Sequence, residues 1–365
     1  MAHAKAVTAP TGCPSAAGVN EFWEGIRMSI RQVAGVVAAM ALGLLSSAAD
    51  AQTKVRFALD WRFEGPSAPY FVAIDKGFYK DEGLEVTIDA GNGSVEAINR
   101  IATNTYDIAF GDINSLIKFR DNPENAKIKA VAMIYNAPAF SIVTLKKSGI
   151  SKPKDLEGKT LGAPAPDGAF AQWPIFTKVN GIDPAKVKIE NVGFPVREPM
   201  LAQGKVDAIT GFSFSSFMNL KANDVPADQI VVMLMRDFGL DLYGNAIMVS
   251  PKFAAENPKA VAGFVRATLR GVQETIKSPE AAVKSVMTRN QIAKEVVELE
   301  RLKMAVAQNL VTKEVEANGL GGVDMARLAK SIDQLGEAFQ YKNKPKAEDI
   351  FDAQFLPPAA NRKAK

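Results

Sequence analysis

Carboxylates and aromatic rings stand just past the ends of short apolar stretches, and these are the residues of the chain that can do chemistry. Trp61, Phe63, Glu64 and Tyr70 follow the stretch 55–59, Asp112 follows 107–110, and Tyr135 closes 128–135. Asp167 and Phe170 come after 160–163, and Phe212 after 206–210. Flat rings bury a flat solute, and stacking adds about 0.5 to 1.5 kcal/mol per aromatic pair beyond the area covered. Ionised carboxylates accept hydrogen bonds from amino groups or protonated ring nitrogens and repel a sulfonate or nitrate. Arg62 and Arg197 are the basic exceptions in this set. The chemistry expected is the gripping of a small aromatic, nitrogen-bearing solute, with no bond made or broken.

Individual members of the set carry a second reading. Asp112 follows Gly111 and can cap the next helix as well as touch a ligand. Asp167 opens a helix at Asp167-Gly168-Ala169, where its carboxylate can occupy the N–H groups that would otherwise favour an anion. Trp61 could fill the base of a core, but it follows Asp60 at a strand end and precedes a loop with Gly65, Pro66 and Pro69, which favours a cleft. Phe214, Phe217 and Leu220 recur at helical spacing and read as core, as does Trp173 with Phe170 and Phe176. Arg197 reads as a solvent or hinge residue, whereas Arg62, beside Trp61, keeps an anionic ligand open.

These residues must be positioned by alternating strands and helices. Residues 57–90 are the organising stretch: a strand with Val55, Phe57 and Leu59 on one face, an aromatic loop, a helix through Tyr70, Phe71, Ile74 and Phe78, and a strand at 84–88. In such a βαβ unit the residues past a strand's C-terminal end line the ligand crevice, so Asp60, Trp61 and Phe63 are expected to face it. Pro138 interrupts the apolar run between 128–135 and 141–145 and marks a crossing into a second lobe. Residues 237–245, with Gly239 and Gly244, read as the crossing back. From Pro258 onward the chain is mostly amphipathic helix, including 261–276, 292–310 and 325–339, which suits completion of the first lobe. The expected organisation is α/β with lobe 1 at 52–138 and 244–356, lobe 2 at 139–243, and a disordered tail at 357–365.

Residues 1–51 are expected to stand apart from the fold. Arg27 and Arg31 precede an apolar run at 33–45, and Ala49-Asp50-Ala51 supplies the small residues of an export-signal cleavage site. The run is shorter than the roughly 20 residues of a membrane span. Cleavage after Ala51 would remove His3 and Cys13, the only histidine and the only cysteine. Ser-His and Cys-His nucleophiles, CxxC redox chemistry and the usual zinc sites are thereby excluded from residues 52–365. The formal charge of +4 is spread along the chain, with no Lys/Arg block that would suit nucleic acid. No cofactor or metal is expected.

The chain also resembles a known family at specific strings. Leu59-Asp60-Trp61, then Tyr70, Val72, Ala73, Lys76-Gly77-Phe78 and Glu82-Gly83-Leu84, are similar to the periplasmic substrate-binding proteins of ABC importers for sulfonates, taurine, nitrate and thiamine pyrimidine precursors. Residues 107–112 (DIAFGD), 148–162 (SGISKPKDLEGKTLG) and 201–211 (LAQGKVDAITG) continue the resemblance in order. It implies a two-lobed type II periplasmic binding protein fold, a hinge-closing cleft, membrane permease subunits as partners, a monomer, and a periplasmic location. The Leu-Asp-Trp element looks more like the pyrimidine-precursor branch than the sulfonate binders. A sulfonate, taurine or nitrate binder is the alternative, and a carboxylate-only enzyme or a sensory receptor partner are alternatives of other classes. The iron-dependent pyrimidine synthases that resemble these binders rely on His and a Cys-rich segment, both missing from residues 52–365.

Overall fold

The computed structural model describes residues 52–364, together with Thr8 and Gly12. The expected export signal, its cleavage after Ala51, and His3 and Cys13 lie outside the described residues. Among the described residues no helix is long and apolar enough to cross a membrane.

The strands are β1 (Thr53–Ala58), β2 (Leu84–Asp89), β3 (Ile108–Asp112), β4 (Lys129–Met133), β5 (Phe140–Leu145), β6 (Thr160–Ala163), β7 (Lys188–Asn191), β8 (Ala208–Phe212), β9 (Ile230–Leu234) and β10 (Asn245–Val249). They form two five-stranded sheets of the same plan, β2-β1-β3-β10-β4 and β7-β6-β8-β5-β9. In the first, β2, β1 and β3 are parallel and β10 runs antiparallel between β3 and β4. In the second, β7, β6 and β8 are parallel and β5 is the antiparallel strand. Each sheet thus receives one reversed strand directly from a segment that has crossed from the other.

Those two crossings lie side by side. Gly244 N–H donates to the Tyr135 carbonyl at 3.0 Å, and the N–H groups of Ile134 and Tyr135 both donate to Asn245 O. A Cβ on residue 244 would stand 2.8 Å from Tyr135 O, so only glycine lets the crossings approach this closely. The chain passes from β9 to β10 through residues 235–244.

The helices that position the cavity are α1 (Ala68–Asp75), α2 (Ser94–Ala102), α3 (Ile113–Arg120), α4 (Trp173–Val179), α5 (Arg197–Ala202), α6 (Ser213–Ala222), α7 (Pro258–Lys277), α8 (Pro279–Met287), α9 (Glu295–Ala305) and α10 (Met325–Phe339). β1 is buried on both faces: Phe57 meets Tyr70 and Phe264 edge to face, while Ala58 packs with Ala97 and Ile98 on the other side. That is why the strand is more apolar than a simple alternation requires. Arg56, one of its two exposed members, pairs with Asp107 at 2.7 Å.

Three expectations differ. The C-terminal helices do not serve the first lobe alone: α10 packs against α4 as well as α3, and Lys221 on α6 pairs with Glu300 on α9 at 2.7 Å. An amphipathic helix buries its stripe wherever apolar surface is offered, and these helices find it on both lobes. The single helix read at 292–310 is α9 followed by a wider turn at Val306–Leu310, with Ile292 left 95% exposed. The tail at 357–365, expected to be disordered, is tied down as far as it is described. Arg362 donates to the carbonyls of Pro357, Gly319 and Leu320, and Leu320 N–H donates back to Arg362 O. A guanidinium fork can hold several carbonyls at once, which a reading based on terminal position misses.

Candidate functional site: a cavity between the two sheets

The C-terminal ends of the parallel strands of both sheets face one cavity, with some 610 Å³ of space between its walls, mouth included. The segment after β1 supplies Asp60, Trp61, Arg62 and Glu64, and α1 adds Tyr70. Phe110 lies on β3, Tyr135 begins the first crossing, and Gly93 and Ser94 open α2. From the second sheet come Asp167 and Gly168 after β6, Phe194 and Arg197 after β7, Phe212 at the end of β8, and Phe214 and Ser215 on α6.

Of the residues named from sequence, Trp61, Glu64, Tyr70, Tyr135, Asp167 and Phe212 line this cavity. Phe63, Asp112 and Phe170 do not. Phe63 turns away to meet Phe71 edge to face at 4.9 Å, in the cluster that includes Val283 and Val286 of α8. Asp112 is wholly buried as the N-cap of α3, accepting from Asn114 N–H at 2.9 Å and Ser115 N–H at 2.8 Å; Gln172 Nε2 also donates to it from the second half. Phe170 packs against the core cluster that holds Trp173. Consecutive loop residues point different ways, so proximity to a strand end does not by itself aim a side chain.

The aromatic wall is continuous across the lobes. Tyr70, Phe110 and Tyr135 succeed one another at centroid distances of 5.5 and 5.3 Å, and Tyr135 meets Phe212 and Phe214 at 6.4 and 5.9 Å. At the other side Trp61 meets Phe194 edge to face at 4.6 Å. Phe214, read as core from its helical spacing, is both: it is 3% exposed and still lines the cavity.

The polar groups include three carboxylates, Asp60, Glu64 and Asp167, and two guanidiniums, Arg62 and Arg197. Asp60 Oδ2 accepts from Ser94 Oγ at 2.8 Å and from Asn245 Nδ2 at 2.6 Å. Burial raises its pKa to about 7, against the pull of those two donors, and the charge of Asp112 adds to the rise. Asp112 itself is raised to about 6 by burial, which its four local hydrogen bonds only partly offset. Burial likewise pushes the Tyr70 and Tyr135 hydroxyls well above their ordinary range, so both are neutral donors.

On the second lobe Asp167 accepts from Thr210 Oγ1 at 2.9 Å, and burial raises its pKa despite Arg197 nearby. Arg197, read from sequence as a solvent or hinge residue, is instead 2% exposed. Burial alone would weaken its charge, but Glu198, bonded at 2.6 Å, and Asp167, at 3.8 Å, hold the guanidinium above its ordinary value. Its carbon lies 5.8 Å from the Trp61 ring and 5.5 Å from that of Phe194. A lone Arg in a short helix carries no periodic signal of burial; only the adjacent Glu198 hinted at a paired, desolvated charge. Among the described residues there is no group of His, Cys, Asp and Glu that could hold a metal ion.

The family model described as NMT1/THI5 like matches residues 65–282. The riboflavin-binding protein RibY of Chloroflexus aurantiacus is 31% identical over 219 residues, 59% of this chain and 60% of that protein, so the match spans less than two thirds of its length. The formylaminopyrimidine-binding protein of Halalkalibacterium halodurans is 24% identical over 83% of this chain and 91% of its own. A 4-amino-5-hydroxymethyl-2-methylpyrimidine phosphate synthase of Legionella pneumophila is 23% identical over 63% of this chain and 72% of its own. Among solved structures, the alkanesulfonate-binding protein SsuA from Xanthomonas axonopodis pv. citri bound to MOPS aligns with a TM-score of 0.62 at 12% identity, covering 81% of this chain and 95% of that one. The shared fold is the two-lobed periplasmic binding protein fold.

Proposed function

The chain belongs to the NMT1/THI5-like family, and from that premise we propose that it is the periplasmic solute-binding component of an ABC importer. Its solute is a small aromatic nitrogenous molecule of the pyrimidine-precursor kind, held in the interlobe cavity. The observation that carries this reading is the composition of the cavity wall: rings from both lobes, with the buried carboxylates of Asp60, Glu64 and Asp167 between them. Ring burial supplies affinity, and carboxylates select a solute that brings N–H donors.

The paired crossings are the hinge about which the lobes open and close. Closure brings surfaces of both lobes together, and membrane permease subunits read that combined face. The relative named as a formylaminopyrimidine-binding protein supports the ligand class, since the alignment with it runs through most of both chains. The synthases in the family keep a catalytic reading in view. Residues 65–282 of this chain contain neither His nor Cys, which supports binding without turnover.

A thermal-shift screen with aminopyrimidines, riboflavin, alkanesulfonates and nitrate tests the proposal. A true ligand at a hundred times its dissociation constant stabilises the fold by about 2.7 kcal/mol. An aminopyrimidine is expected to give the largest shift and to be recovered unchanged after hours with the pure protein. A shift given only by sulfonates or nitrate would overturn the ligand class, and loss of ligand mass would overturn the assignment as a binder.

A further inference from the structure

Tyr135 gives its ring to the cavity, but Asn136 beside it and Tyr243 on the other crossing turn to a different pair of residues. Glu314 and Arg327, the latter in the first turn of α10, form an ion pair at 2.9 Å in which each member holds both crossings. Glu314 accepts from Asn136 Nδ2 at 3.0 Å on the first crossing and from the Tyr243 hydroxyl at 2.6 Å on the second. Arg327 donates to the Asn136 carbonyl at 3.4 Å and to the Leu242 carbonyl at 2.9 Å, and its guanidinium carbon lies 4.0 Å from the centre of the Tyr243 ring. Just before Glu314 in the chain, Thr312 Oγ1 donates to Asn136 Oδ1 and Asn309 Nδ2 donates to the Ala137 carbonyl. The helix that carries Arg327 is fastened to both lobes as well. Its Leu328, Ile332 and Leu335 share one core with Ile113 and Leu116 of α3 and with Trp173 and Phe176 of α4.

Hinge motion changes the backbone angles of a few crossing residues, so the carbonyls of Asn136 and Leu242 cannot keep their relative directions as the lobes part. A planar guanidinium with fixed N–H directions tolerates little of that change, and opening must give up at least one of these bonds. The arrangement that keeps them all is the one in which the lobes meet at Glu64–Ser215 and Asp112–Gln172. We infer that the Glu314–Arg327 pair is a hinge brace that biases the protein toward the closed arrangement, acting from outside the cavity and without touching the solute. This brace presupposes the hinge reading of the two crossings. It gives the C-terminal segment a function as a third, non-covalent connection, one that sets how much of the protein is closed before a solute arrives. The apparent affinity for any solute held between the lobes then rises with that closed fraction.

Pulsed electron–electron resonance between spin labels on the two lobes tests this with no solute present. Labels at Glu85→Cys on β2 and Asn191→Cys on β7, both exposed positions on edge strands, report the interlobe distance in the full chain with Cys13→Ser, which removes the only native cysteine. Gly93→Ala supplies an open reference, because its Cβ would stand 2.4 Å from Pro166 O across the cleft. Arg327→Met is expected to raise the ratio of the longer to the shorter distance at least about tenfold over wild type. Arg327→Lys keeps the charge but not the fork and is expected to do the same. Tyr243→Phe loses only the hydroxyl that joins Glu314 to the Asp324 N–H, and is expected to move the ratio the same way by less. Circular dichroism checks that each variant folds, and if Arg327→Met does not, the other two carry the test. A ratio equal to wild type in the folded variants, or in Arg327→Lys alone, overturns the brace while leaving the hinge and the solute-binding reading in place. A single unchanged distance in Gly93→Ala as well overturns the hinge, and the brace with it.

Discussion

Glu64, in the loop after β1, accepts a 2.8 Å hydrogen bond from the hydroxyl of Ser215 on α6, so the two lobes are joined inside the cavity wall. Arg301 on α9 lies 3.3 Å from the same carboxylate, bonds Glu298 through both its oxygens, and reaches Asn219 on α6 at 2.8 Å. One guanidinium therefore serves two acids of the first lobe and an amide of the second. Burial raises the pKa of Glu298, with Arg301 opposing the rise.

Ser215→Ala removes the interlobe bond but leaves Glu64 with Arg301. We expect the closed arrangement to lose about 1 to 2 kcal/mol, which weakens ligand binding by roughly five- to thirtyfold while the unliganded melting temperature stays put. Calorimetric titration and a melting curve separate the two effects. Unaltered affinity would mean that closure does not draw on this bond.

Gly93→Ala attacks closure from the other side of the cavity. Gly93 has φ near +104°, and a Cβ there would lie 2.4 Å from the carbonyl oxygen of Pro166 on the second lobe. A side chain is strained at that φ and cannot fit between the closed lobes. We expect small-angle scattering to show a larger radius of gyration with ligand than in wild type, and affinity to fall by more than about tenfold. Full compaction of the variant on adding ligand would contradict this.

Asp60 sets a pH dependence whose sign follows from its raised pKa. The unfolded side chain ionises near 3.8, whereas the buried one holds its proton to about 7. Between those values the folded state binds the extra proton, so stability falls as pH rises through the window, by at most about 1.4 kcal/mol per pH unit, and falls no further above it. Asp112, raised to about 6, acts in the same direction. Asp60→Asn is close in shape and neutral throughout, so its urea midpoint is expected to drop less between pH 5 and pH 8 than that of wild type. Identical pH profiles would remove Asp60 as the source.

Trp61→Ala deletes the ring that meets Phe194 across the mouth of the cavity. The ligand-induced thermal shift is expected to vanish while the unliganded protein keeps its circular dichroism. Retention of the shift would show that the indole serves packing alone.

The order of elements was legible along the chain because it rests on local physics. Alternation at Val55, Phe57 and Leu59, the breaks at Gly83 and Gly111, and Pro138 in mid-run each act within a few residues, and they determined strands, turns and the crossing between sheets. Strand-end position likewise picked out Trp61, Glu64, Tyr70, Tyr135, Asp167 and Phe212. The same rule brought in Phe63, Asp112 and Phe170, whose side chains went instead to α8, to the cap of α3 and to the Trp173 cluster.

What only the tertiary structure decided was which side chains share the cavity across the two sheets. Phe194 and Arg197 follow an edge strand with no marker of burial, and they join the wall because the second lobe lays them against Trp61. The C-terminal helices bridge both lobes for a similar reason. Local sequence sets the period and the hand of each element, but the partner of a buried ring or charge is chosen by contacts between segments more than a hundred residues apart, where no short pattern reaches.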